Sequence, residues 1–157
     1  MKTNYLLPNK YKTLGWFLLL FGIISGIMLL PGMYEQESLR FKVLSVVYEP
    51  FWDSKPIEVF KIMKNNISDE IVSFTIIIGG LIVGFTKEKV EDEFIYKLRK
   101  DSLVWAIIFN YAFLLFLIPF IYGTLFLEIM KYNMFTPLIF FIIRFNFLKH
   151  KARSDEE

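Results

Sequence analysis

The residues that could do chemistry are few, and most of them stand in apolar surroundings. Asn110 is a carboxamide inside the uncharged run from Ser102 to Leu127. In hydrocarbon such an amide seeks a partner across a helix interface, so Asn110 is expected to glue helices together, with Ser73, Thr75, Asn133 and Thr136 as candidate mates. A substrate contact is the alternative role. Arg144 interrupts a second apolar stretch just before Phe145, Asn146, Phe147 and Leu148. An ionisable group within a membrane segment is a functional candidate by default. Arg144 stands near an edge, so a lipid headgroup or another anion is its candidate contact, against plain snorkelling of the long stem. Glu88, Glu91, Asp92 and Glu93 would suit a hard cation. They are interleaved with lysines, however, and read better as a solvated helix face.

Whole classes of chemistry are missing their parts. The single histidine, His150, lies near the C-terminal end of the sequence, and there is no cysteine. Bis-histidine haem ligation within one chain, zinc sites of His and Cys, and thiol chemistry all fail on that count. No glycine-rich phosphate loop follows a strand pattern, and no serine in an apolar run has a base beside it. Acidic residues stay outside the apolar runs, with Glu128 nearest, which argues against proton-coupled antiport. The net charge of +2 is small and the basic residues are scattered, so a nucleic-acid footprint is not expected. The expectation is a non-enzymatic protein with no metal and no cofactor.

The elements that must position these residues are set by the spacing of charge. Charges are absent from Thr13 to Tyr34, from Ile71 to Thr86 and from Ser102 to Leu127. A bilayer core about 30 Å thick needs roughly 20 mostly apolar residues in a helix. The first and third runs reach that length. The second reaches it with help at its ends from Asp69, Glu70 and the snorkelling stem of Lys87. A fourth, weaker span ends in Leu148. The expected fold is an all-α membrane protein of four transmembrane helices, at 13–32, 69–87, 102–122 and 130–148. Lysines precede the first run as they would in a signal peptide, but no alanine occurs before Ala106 to form a small-residue cleavage site. The run reads as an anchor.

Orientation follows from lysine and arginine in short loops. Lys2, Lys10 and Lys12 precede the first span, Lys87, Lys89, Lys97, Arg99 and Lys100 surround the second loop, and Lys149, Lys151 and Arg153 follow the fourth. Both ends are therefore expected in the cytoplasm, in a multi-pass protein of the inner (cytoplasmic) membrane. Tyr11, Trp16, Tyr34, Trp105, Tyr122 and Tyr132 fall where an aromatic belt would lie.

The long first loop, 33–68, would then be extracytoplasmic. Leu39 to Val43 alternate in polarity and suggest a short extended piece, whereas Ile57, Val59, Phe60, Ile62 and Met63 suggest a short amphipathic helix. Pro50 and Pro56 bracket a turn-prone Phe51-Trp52-Asp53. The loop reads as a cap on the membrane surface or the helix ends, with ligand binding as the alternative. The cytoplasmic loop, 88–101, is expected to be helical and continuous with a neighbouring span. Phe94, Ile95 and Leu98 share a face there, with Glu93 and Lys97 at a favourable spacing. That stripe is the candidate contact for a partner protein. Gly22 with Gly26, and Gly80 with Gly84, place pairs of small residues one turn apart. Such pairs allow close backbone approach, expected here between the first and second helices, or between copies of the chain.

Ile67-Ser68-Asp69-Glu70-Ile71, and the segment from Lys87 to Arg99 leading into Ser102-Leu103-Val104-Trp105-Ala106, resemble a group of small four-helix bacterial integral membrane proteins of unknown function, mainly from Bacteroidota. The likeness spans most of the chain. It implies a membrane-bound regulatory or partner role, of the kind assumed to accompany small helix-turn-helix regulators, and it carries over no catalytic residue. A protein partner or homo-oligomer in the bilayer is therefore the leading expectation. A small oligomeric transporter or channel, with Asn110 and Arg144 lining its path, is the alternative.

Overall fold

The computed structural model describes residues 5–28, 40–48 and 58–154. The end of the expected first span, Tyr34 and the Phe51-Trp52-Asp53 turn lie outside the described residues. After a short 3-10 turn the elements are α1 (Lys12–Met28), β1 (Arg40–Tyr48), β2 (Glu58–Asn66), α2 (Ser68–Gly84), α3 (Glu93–Leu117), α4 (Thr124–Asn133) and α5 (Thr136–Ser154).

The sheet corrects the all-α expectation. β1 and β2 form an antiparallel hairpin, with Arg40 opposite Asn66 and Tyr48 opposite Glu58. Residues 58–66 are therefore a strand where apolar spacing predicts a short helix. Pairing with a distant segment decides this, and local periodicity does not carry that information. Phe60, at φ 56°, interrupts the ladder: Ser45 pairs with Lys61 and Val47 with Val59, with no pair registered between them.

Local chemistry sets most helix ends. Ser68 donates its backbone N–H and its hydroxyl to the Asn66 amide oxygen at 3.0 and 2.6 Å, which satisfies the start of α2. Asp92 caps α3, its carboxylate accepting the Ile95 N–H at 2.7 Å. This cap, together with the Glu88 N–H donated to the Glu91 carboxylate at 2.9 Å, holds the chain ahead of α3 in a turn. The loop at 88–101 is thus helical only from Glu93 onward. α3 stops at Leu117, short of the expected 122, as Pro119 enters the following turn. Gly123, at φ 75°, supplies the left-handed residue before α4. The expected span at 130–148 is broken between α4 and α5, where Pro137 has no N–H to give the Asn133 carbonyl.

Packing follows small residues. α1 and α2 run antiparallel, α2 lies beside α5, and α5 packs on α3, giving a row in the order α1, α2, α5, α3. The closest approach is between α1 and α2. A Cβ added at Gly79 would lie 2.5 Å from the Leu19 amide nitrogen, and one at Gly22 would lie 2.8 Å from an Ile76 methylene. Backbones this close supply the van der Waals contact that membrane helices rely on.

Burial on α3 is inverted relative to a water-soluble helix. Its buried side is Arg99, Ser102, Ala106, Asn110 and Leu117, while Leu103, Val104, Trp105, Ile107, Ile108 and Phe109 face outward. α1 likewise exposes Leu14, Phe17, Leu20, Phe21 and Ile24. Contiguous apolar surfaces of this extent need an apolar surrounding. Among the described residues, three stretches, Asn9–Met28, Glu93–Leu117 and Thr124–Ala152, are long and apolar enough to cross a membrane. α2 has 17 residues, about 25 Å of helix, and falls short by length alone.

Candidate functional site: a polar clasp at one end of the bundle

The start of α1, the end of α2, the start of α3 and the end of α5 meet at one end, and the polar residues there are tied together. Leu7 donates its N–H to the Phe85 carbonyl and accepts the Lys87 N–H, both at 2.9 Å. Residues before α1 thereby form a short parallel bridge with the chain leaving α2. Asn9 adds a side-chain donor to the Lys87 carbonyl at 2.7 Å. Thr86 is fully buried beneath this bridge and donates its hydroxyl to the Ile82 carbonyl.

Two carboxylates organise the rest. Glu88 receives Lys12 from α1 and Lys149 from α5, the latter at 3.1 Å, so one side chain joins three elements. Burial alone would raise its pKa, but the two ammonium groups outweigh that and hold its carboxyl below the usual carboxylate range. Glu91 takes a two-pronged contact from Arg99, one guanidinium nitrogen lying 3.0 Å from its second oxygen. Arg99 is only 3% exposed, reaches the Thr86 carbonyl at 3.4 Å and lies 5.1 Å from the Phe145 ring centre. Lys149 covers the same ring at 5.7 Å. Just inside the clasp, Arg144 donates to the buried Ser102 hydroxyl at 3.1 Å and lies over Trp105 at 5.6 Å.

These positions revise several sequence expectations. Gly22 and Gly26 face α2, but Gly80 and Gly84 face α5, where an added Cβ would meet Leu138 and Phe141 at 2.5 Å. Across the α1–α2 contact, Gly15, Gly22 and Gly26 of α1 face Ile82, Ile76 and Val72, and Gly79 of α2 faces Leu19. The acidic segment is no uniform solvated face: Glu88 and Glu91 turn inward while Asp92 and Glu93 stay exposed. Of the expected partner stripe, Ile95 and Leu98 pack against the core and only Phe94 remains open, joined by Val90. The Arg144 guanidinium is engaged with α3. Asn110 is buried with its carbonyl oxygen unpartnered among the described residues, as is that of Asn133. Of its candidate mates, Thr75 gives its hydroxyl to Ile71 within its own helix.

Arg99, Thr86, Ser102, Lys12 and Lys149 carry the clasp without having been singled out from sequence. One signal was available: Arg99, Ser102, Ala106 and Asn110 recur at helical spacing through an otherwise bulky apolar run. Chemically the clasp fastens helices. Both inward carboxylates are committed to cations, and among the described residues no group of three or more His, Cys, Asp or Glu is placed to hold a metal. No family model, curated protein or solved structure matches the chain that builds it.

Proposed function

We propose that the chain is a four-span protein of the inner membrane, with both ends cytoplasmic, that acts without catalysis as an accessory or regulatory partner of another protein. Its spans are α1, α2, α3 and the joined α4 and α5. The clasp end carries Lys12, Lys87, Lys89, Lys97, Lys100 and Lys149 in short segments, whereas the opposite end has Lys131 in its turn and Arg40, Lys42, Lys61 and Lys64 spread along the hairpin of the long first loop; the denser basic segments favour a cytoplasmic clasp.

The carrying observation is at the water side of the clasp. Val90 is 74% exposed and Phe94 53% exposed, on a segment the clasp holds rigid and lysines and acids surround. Apolar anchors framed by charge on a fixed support are what a protein partner recognises. A photo-crosslinking residue at position 94 should give a discrete protein adduct in native membranes, lost with Val90→Ser. An adduct pattern identical to that from lipid-facing position 115 overturns the reading. Reporter fusions after Ser154 and within the β1–β2 hairpin should report opposite compartments; the same compartment for both overturns the topology.

The unpartnered Asn110 oxygen favours a second reading, a small oligomeric transporter or channel. Flux in proteoliposomes that Asn110→Leu leaves unchanged removes that residue from any path.

A further inference from the structure

At the end opposite the clasp the helices part. Added Cβ atoms measure the separation along α1: about as close as backbone permits where Gly79 meets Leu19, tight at Gly22, and 3.3 Å from the nearest Val72 methyl at Gly26. Past that point a cleft of about 290 Å³ opens between α1, α2 and the joint of α4 with α5. Its walls are Ile23, Ile27, Val72, Ile76 and Ile139, and Asp69, Ser73 and Lys131 stand at its mouth. The break ahead of Pro137 separates α4 from α5, and α4 supplies Lys131. Lys131 and Asp69 approach each other at 3.8 Å and both remain largely exposed, so their mutual pairing is loose.

We propose that this cleft holds one acyl chain of a zwitterionic phospholipid, with Lys131 on the phosphate and Asp69 on the ammonium of the headgroup. The inference rests on the four-span reading, which puts the cleft mouth at headgroup depth. Three features select this occupant. The walls are apolar, as an acyl chain requires. The volume lies at the small end of ligand pockets, about 300 Å³, which suits a chain and not a bulky ring system. The mouth carries one charge of each sign, and it matches a headgroup of no net charge better than an anionic one.

The test uses the whole protein, purified in mild detergent and stripped of loosely held lipid. Dioleoylphosphatidylethanolamine, dioleoylphosphatidylglycerol or detergent alone is then added, and retained lipid is read by native mass spectrometry. One phosphatidylethanolamine per chain should be retained, with phosphatidylglycerol about tenfold weaker through loss of a single charge-assisted contact. Gly26→Leu, which places a side chain in the cleft, should abolish retention. Lys131→Glu, at an exposed site that leaves folding intact, should weaken it about tenfold, and adding Asp69→Lys should restore it. Equal retention of both lipids, or retention indifferent to Gly26→Leu and Lys131→Glu, overturns the site in favour of a general lipid annulus. No retention by the unmodified protein also overturns it. Each of these leaves the four-span reading standing; a protein that stays monodisperse in buffer without detergent overturns both.

Discussion

The two ends of the bundle are made from the same helices and are finished in opposite ways. At the clasp end, glycine lets α1 and α2 touch backbone to backbone, and Glu88 and Glu91 draw in cations from α1, α3 and α5. At the other end the helices splay, the ion pair of Asp69 and Lys131 is long and exposed, and a cleft remains. In lipid, apolar side chains gain nothing by leaving acyl chains for one another. Tightness therefore goes where small residues and buried charge permit it, and an end lacking both stays open.

The largest effect in this contrast should come from Arg99. Arg99→Leu strands Glu91 in its half-buried position, and removing one partner of such a pair costs about 3–5 kcal/mol. Thermal unfolding in detergent should show this, with unchanged stability breaking the contrast outright. Glu88→Gln should cost about 2 kcal/mol, the range for hydrogen bonds to a charged group. Because the folded Glu88 pKa is lowered, its contribution is present above the unfolded carboxylate pKa and lost as pH falls through the folded value. Unfolding followed from neutral to acid pH should therefore lose stability over that window in the native protein and less in Glu88→Gln.

Glycine substitutions sharpen the comparison along a single interface. Gly79→Ala drives a methyl into the α1 backbone and should cost about 1–3 kcal/mol. Gly26→Ala meets only a Val72 methyl, at 3.3 Å, which has to give slightly, and should cost less than Gly79→Ala, about 1 kcal/mol at most, a difference that denaturant titration of the two variants resolves. At the open end Lys131→Ala should change stability by only about 0.2–1 kcal/mol, as exposed pairs do.

Legibility in the sequence divides along the same line. Charge-free runs announce α1 and α3, because a bilayer demands one simple property over a fixed length. The helix starts at Ser68 and Glu93 are set by Asn66 and Asp92, whose side chains the charge pattern alone does not mark as caps. What sequence could not deliver depends on which elements meet. Gly80 and Gly84 look like partners for α1 until the register shows Gly79 on that side and the other two against α5. Glu88 looks solvated among its lysines because Lys12 and Lys149 approach from distant positions, and Glu91 because the turn ahead of α3 that brings Arg99 back to it is not marked by periodicity. The hairpin escaped for the same reason, since β2 takes its form from β1.

The bridge formed by Leu7 has a consequence for how the molecule is made. Its two backbone partners, Phe85 and Lys87, lie more than seventy positions downstream, on the far side of α1, the hairpin and α2. During synthesis the leading segment must wait, with its amides hydrated, until α2 has emerged and turned back. Only then can the residues ahead of α1 be fastened, and only after α5 arrives with Lys149 does Glu88 gain its second cation. The segment ahead of α1 is thus among the later parts to settle, and α5 completes what α1 began.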